Sequence, residues 1–296
     1  MNSDRKSWHP WVFLTPAMLL LSAILIIPIG YSLYLSFFDA DGASWFSGTS
    51  PFVGLTNYIE LMSDQSFGHS VFLLLVYIVA TTTIELALAL ALALYLDQVV
   101  EVPSTVKTLI ILPMFVLPVV SGLTFRYLFD PEGGVLGTLF YWFGLEAPDM
   151  LGDPILAFIV VILQDVWRMG PFLFVIIYAG LKSMPRDPIE AIQVDGGNFW
   201  QTSRYVILPA LKGTLVVAVL LKVIESLKAF TEIYVMTGGG PGESTTILSM
   251  FIIKQMTDFA QYGYGTAAST ILLVVGIGVT LLLGYVQRRH QQGVAH

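Results

Sequence analysis

From Trp11 to Phe38, and again from Tyr262 to Gln287, the chain carries not one charged side chain. Each run exceeds the roughly 20 apolar residues that span the hydrocarbon of a bilayer. Between them lie further apolar stretches broken only by isolated charges, so the chain must solve a membrane problem before any other. Composition agrees: 55% of the 296 residues are hydrophobic and 12% charged, about half the charged share of a soluble domain. The expected class is an all-α polytopic membrane protein. A net charge of −7 argues against nucleic acid as a partner. With no cysteine there is no disulfide framework or thiolate site, and histidines at 9, 69, 290 and 296 are too scattered for a metal cluster.

Six spans are expected, over about 11–38, 70–96, 106–129, 154–180, 210–236 and 264–287, forming one transmembrane domain over 1–296. The first follows Arg5 and Lys6 but is too long for a signal peptide core and has no small-residue cleavage site. It reads as a retained span, kinked at Pro16 and Pro28. "ELALALALALYL" (85–96) alternates like a strand, yet its length and its Leu and Ala content favour a helix. Lysines and arginines orient the chain. Arg5, Lys6, Lys107, Lys182, Arg186, Arg204, Lys212, Arg288 and Arg289 fall on one side. Arg126 and Lys254 fall on the other, among Asp39, Asp41, Glu60, Asp64, Asp149 and Asp153. The positive-inside rule makes both termini and the 181–209 loop cytoplasmic. Trp8, Trp11, Trp142 and Trp200 read as interfacial aromatics, and Met114 and Met184 as packing.

That loop, which includes "RDPIEAIQVDGGNFWQTSRYVILP", has the chemistry of two short helices. Asp187 suits a cap, Pro188 the first turn, and Glu190 the third position after the cap. Gly196 and Gly197 stop the helix, and Asn198 with Gln201 offers a second capping box. Helices this short are marginal alone. Ile189, Ile192, Phe199 and Trp200 give them an apolar side, which fits either a docking element or a loop resting on lipid headgroups.

The stretch resembles the EAA loop of ABC-importer permeases, whose pattern Glu190, Ala191, Asp195, Gly196, Ile207, Leu208 and Pro209 reproduce at the right spacing. Ile192 and Gly197 stand where that family usually has alanine. "VWRMGPFLFVIIYAGLKSMP" (166–185), "KTLIILPMFVLPVVSGLTFRYLFDPEGG" (107–134), "FTEIYVMTGGGPGESTTIL" (230–248) and "YGYGTAAS" (262–269) are similar to carbohydrate-uptake permeases of the maltose and glycerol-phosphate type. The resemblance implies a type I ABC importer architecture with a coupling helix seated on a cytoplasmic ATPase through Glu190, Ala191, Asp195, Gly196, Gly197, Leu208 and Pro209. It implies a second permease, two ATPase subunits carrying ATP and magnesium, and a periplasmic or extracytoplasmic solute-binding protein, at the bacterial inner membrane. This chain itself would bind no cofactor and catalyse nothing, and it has no G-x-x-x-x-G-K-[ST] loop. The glycines at 238–240 read as an outer turn.

Charges inside spans cost about 2.5–3.5 kcal/mol each at a helix centre. Lys222, Glu225, Lys228 and Glu232 recur at three- and four-residue spacing, placing them on one broad helix face. Asp165 and Arg168 add to them. They either neutralise each other or line a hydrated path. By resemblance the pocket positions fall at Asp165, Met169, Phe172, Lys222, Ser226 and Ala229. Arg168, Lys222 and Lys228 would suit an anionic sugar derivative unless Asp165, Glu225 and Glu232 satisfy them. Glu85 reads as a buried structural carboxyl. The leading function is the pore subunit of an ATP-driven, binding-protein-dependent sugar importer working by alternating access. The alternative is an ion-coupled secondary transporter. An intramembrane enzyme is disfavoured, since no nucleophile and base or set of metal ligands converges.

Overall fold

The computed structural model describes residues 9–98 and 103–294; Arg5, Lys6 and Trp8 lie outside them. The described residues are helical throughout apart from loops and two isolated bridges, Phe38–Phe52 and Asp41–Gln261. In chain order the helices are α1 His9–Leu35, α2 Gly42–Ser47, α3 Thr56–Ser63, α4 Gln65–Gln98, α5 Ser104–Ile111, α6 Pro118–Leu128 and α7 Val135–Trp142. They continue as α8 Pro154–Lys182, α9 Asp187–Val194, α10 Phe199–Thr202, α11 Leu208–Leu227, α12 Thr231–Thr237, α13 Leu248–Thr257 and α14 Tyr262–Val294. Five rods are long and apolar enough to cross a membrane, and a bent pair makes a sixth crossing if it counts as one span.

Three expected boundaries change. The third span is no single rod: Ser104–Phe115 and Pro118–Leu128 meet at 95°. Pro113 and Pro118 each lack a backbone donor, and Leu117, just before Pro118, is held extended at ψ 141°. The fifth span begins earlier than expected, because the helix runs unbroken from Phe199 through Pro209 to Leu227. Pro209 cannot donate to Tyr205, and the chain absorbs this with a π turn over Ser203–Ile207, in which the Leu208 amide donates to the Ser203 carbonyl. The same span ends at Leu227, nine residues short of the expected 236. The chain leaves helical geometry at Phe230 (φ −152°) before α12 begins.

The chain forms two compact units. The first comprises residues up to Gln65 together with Ile252–Leu273. Within it, the Asn57 amide donates to the Ser36 and Phe38 carbonyls at 2.9 and 3.0 Å, and the Tyr264 hydroxyl donates to Asp64 Oδ2 at 2.7 Å. Along α1, most of the apolar side chains from Phe13 to Tyr34 are exposed, and Leu35 at its end is buried.

The second unit, Ser66–Phe251 with Val274 onward, holds an apolar core that joins α4, α8, α9, the π turn and α11. Ala89, Ala93, Leu173, Ile177, Leu181 and Leu211 form it, with Ile189 of α9 and Ile207 of the π turn packed into it. α8 starts where its sequence says it should. Asp153 accepts from the Ile155 and Leu156 amides at 2.9 Å, with Pro154 in the first turn.

Candidate functional site

The elbow between α8 and α11 is built from local chemistry. α9 begins at Asp187, one residue before its expected start, with Arg186 at the cap position and no side-chain capping bond. The expected Asp187–Glu190 capping box is therefore absent. Both acids instead sit in the first turn, favourable against the helix dipole. Gly196 ends the helix at φ +83°, a left-handed conformation that side chains resist. The second cap is as expected, with Asn198 and Gln201 exchanging hydrogen bonds at 2.8 and 2.9 Å.

Ile192 and Gly197, the two departures from the family pattern, are physically one feature. A Cβ on residue 197 would lie 2.7 Å from Ile192 Cγ1 and 2.7 Å from its carbonyl oxygen. The larger residue at 192 fills the space an alanine at 197 would use.

The elbow is not bare. Ile189 is 7% exposed, clamped in the core by its own chain. Phe199 and Trp200 do remain exposed, as do Glu190, Ala191, Val194, Asp195 and Pro209. Gly196 is exposed too, whereas Gly197 and Leu208 are half-buried.

One residue the sequence reading passed over ties the elbow to two spans. Asp97, at the end of α4, accepts from Lys182 Nζ at 2.6 Å and from both Arg186 nitrogens at 2.6 and 2.7 Å. Its side chain is 9% exposed. A fork-shaped guanidinium on a carboxylate is among the stronger hydrogen-bonded pairs, and here it joins the ends of α4 and α8 to the start of α9. The signal was present: a lone acid where an apolar run meets the positive side of the protein.

Deeper in the second unit a polar seam crosses the spans. Lys222 of α11 is 1% exposed and donates to Glu85 Oε1 at 2.7 Å and Asp165 Oδ2 at 2.5 Å. Arg168 donates to Glu232 Oε1 at 2.7 Å. Tyr77 packs beside Asp165, and the Gln164 amide donates to Ser121 Oγ at 2.8 Å. The expected single face of charges on the fifth span is split. Lys222 turns into the bundle, whereas Glu225 and Lys228 form an exposed 2.7 Å pair. Glu232 leaves the rod altogether, on α12. Of the other pocket positions, Ser226 and Ala229 are buried and Met169 and Phe172 half-buried. Ser226 Oγ and Gln164 Oε1 are buried without a hydrogen-bond partner among the described residues. Unpaired groups of this kind are costly unless a ligand or water meets them. Among the described residues, no grouping of three or more histidines or carboxylates fit for a metal occurs.

A multi-pass helical chain with a capped elbow between two spans and a buried polar seam across the bundle is the frame of a solute permease. Residues 90–292 match the family described as binding-protein-dependent transport system inner membrane component, and the chain belongs to that family. It is 31% identical to the sulfoquinovosyl glycerol transport system permease protein SmoG of Agrobacterium fabrum, covering 91% of this chain and 87% of that one. It is 29% identical to the trehalose/maltose transport system permease protein MalF of Thermococcus litoralis, covering 94% and 93%. A crystal structure of a bacterial ABC transporter involved in alginate import contains a chain of the same fold. The TM-score is 0.82 at 21% identity, with 96% of both chains covered. The all-α type I importer architecture expected from the sequence is the one observed.

Proposed function

We propose that this chain is one of two permease subunits of an ATP-driven importer that receives a sugar from a solute-binding protein and passes it across the inner membrane by alternating access. Named relatives that carry trehalose and maltose, sulfoquinovosyl glycerol, or xylose and arabinose support a carbohydrate substrate. A solved relative is complexed with an alginate pentasaccharide-bound periplasmic protein, which supports delivery by a binding protein. The uncovered apolar length of α1 suits a second permease. Both termini and the elbow face the cytoplasm, where two ATPase subunits bind ATP and magnesium.

The observation that carries this reading is the elbow. α9 and its C-cap expose Glu190, Ala191, Val194 and Asp195 while Ile189 is locked into the core and Arg186 is forked onto Asp97. A push on the exposed face therefore reaches α4, α8 and α11 as one body. Glu190, Ala191, Asp195, Gly196, Gly197, Leu208 and Pro209 are the proposed coupling residues.

The substrate path runs by Asp165, Arg168, Met169, Phe172, Lys222, Ser226 and Ala229, with Glu225 and Lys228 at an exposed edge. Each cation there has a carboxylate within 2.7 Å, which favours an uncharged carbohydrate over an anionic derivative. Ser226 Oγ and Gln164 Oε1 are left to meet hydroxyls.

The test is Gly196→Val in the assembled transporter. Binding-protein-dependent uptake should cease while the chain still inserts and pairs with its second permease. Full uptake with normal ATPase retention would defeat the coupling role. Ser226→Leu should weaken sugar-stimulated ATP hydrolysis; unchanged stimulation would move the path elsewhere.

A further inference from the structure

A second cavity lies apart from the polar seam. It is a groove of about 660 Å³ between the last three turns of α4 and the stretch from α10 into α11, within the roughly 300–1,000 Å³ of small-ligand clefts. Its walls are aliphatic along the membrane-spanning length, with Leu90, Leu94 and Leu208, and aromatic at the mouth, with Tyr95 and Trp200. The mouth also carries Arg204, and no carboxylate lines the groove.

Two observations separate it from an ordinary lipid-facing crease. Arg204 forms no ion pair among the described residues and, unlike Lys107, Arg126 and Lys212 of the same unit, which also form none, it lines the groove. Ser203, 4% exposed, lines the groove with a hydroxyl that has no partner among the described residues. A buried hydroxyl and an uncompensated guanidinium at the mouth of an apolar slot fit an amphiphile with an acceptor-rich, negative head. The cavity of the first unit, lined by Asp39, Asp41, Glu60 and Asp64, would repel such a head.

We propose that this groove is a binding site for an anionic phospholipid of the surrounding bilayer. One acyl chain lies along Leu90, Leu94 and Leu208, the phosphate pairs with Arg204, and Ser203 donates to a phosphate or ester oxygen. Tyr95 and Trp200 flank the headgroup at the depth where amphipathic rings settle. The π turn makes the site, since it sets Ser203 and Arg204 between the α10 and α11 segments. The lipid would brace α4 against the end of the elbow. This rests on the membrane-spanning helices alone and stands whether or not the elbow couples to an ATPase.

The test uses the assembled transporter in nanodiscs of mixed phosphatidylglycerol and phosphatidylcholine, with lipids retained after detergent washing identified by mass spectrometry. One basic residue near an anionic surface supplies about fivefold preference, so the wild type should retain phosphatidylglycerol over phosphatidylcholine by about that factor. Arg204→Gln should abolish the preference, and Ala91→Trp, which fills the groove, should remove the retained lipid. Lys212→Gln, an exposed cation outside the groove, should change neither. A photo-crosslinker at Tyr95 should label lipid. Unchanged preference in Arg204→Gln, undiminished lipid in Ala91→Trp, or crosslinks to the second permease or an ATPase would each overturn the assignment.

Discussion

Replacing Lys222 by methionine tests the buried seam at its centre. The ammonium is held between two carboxylates at 2.7 and 2.5 Å, with all three side chains 4% exposed or less. At an effective dielectric of 20, each contact is worth about 6 kcal/mol of gross attraction. Desolvation of three ions cancels most of it. The mutation does not recover that desolvation, because Glu85 and Asp165 stay buried and lose the ammonium they share. Removing one member of a buried pair costs about 3–5 kcal/mol. At about 2–3 °C per kcal/mol for a chain of this length, the assembled complex should lose roughly 6–15 °C of thermal stability. Neutralising the acids as well, in Lys222→Met with Glu85→Gln and Asp165→Asn, removes the charge problem while conserving volume. Most of the loss should return. The assay is thermal unfolding in nanodiscs, read as a mutant cycle. If the triple variant is as unstable as the single one, or the single one is neutral, the electrostatic account of the seam fails.

Other outcomes follow from named contacts. Asp97→Asn weakens the fork on Arg186 and should lower uptake per ATP hydrolysed several-fold, with Asp97→Glu restoring part of it; an unchanged ratio removes Asp97 from coupling. Gly197→Ala should destabilise the elbow by about 1–3 kcal/mol through overpacking. Ile192→Ala should relieve part of that, and additivity in the double mutant would show that the two sites are independent. Lys228→Met, which breaks an exposed pair, should change stability by no more than about 1 kcal/mol; a larger loss in thermal unfolding would place that pair inside the bundle. Backbone donation from Ser44 holds the Asp41 carboxyl below its usual 3.8. The cap of α2 is thus fully stabilising above that pH and fades as pH falls through the lowered value. Hydrogen exchange over 42–47 should accelerate in that range for wild type but show no such step in Asp41→Asn.

The sequence by itself determined the membrane class, the long spans, the elbow with its glycine stop and Asn198–Gln201 cap, and the family. These are local properties. Uncharged runs longer than a bilayer, a left-handed glycine and a reciprocal cap act within a few residues and survive any tertiary arrangement. The acid at 97 and the cations at 182 and 186 were each visible too, but their pairing across 85 and 89 residues was not. The in-span charges show the same limit. Spacing placed Lys222, Glu225, Lys228 and Glu232 on one face, as an unbroken helix would. Only the folded chain decided that the rod stops at Leu227, sending Lys222 to Glu85 and Asp165, Glu232 to Arg168, and Lys228 to Glu225. Helix periodicity says which residues share a side, whereas partners in a low-dielectric interior are chosen by which helices meet there.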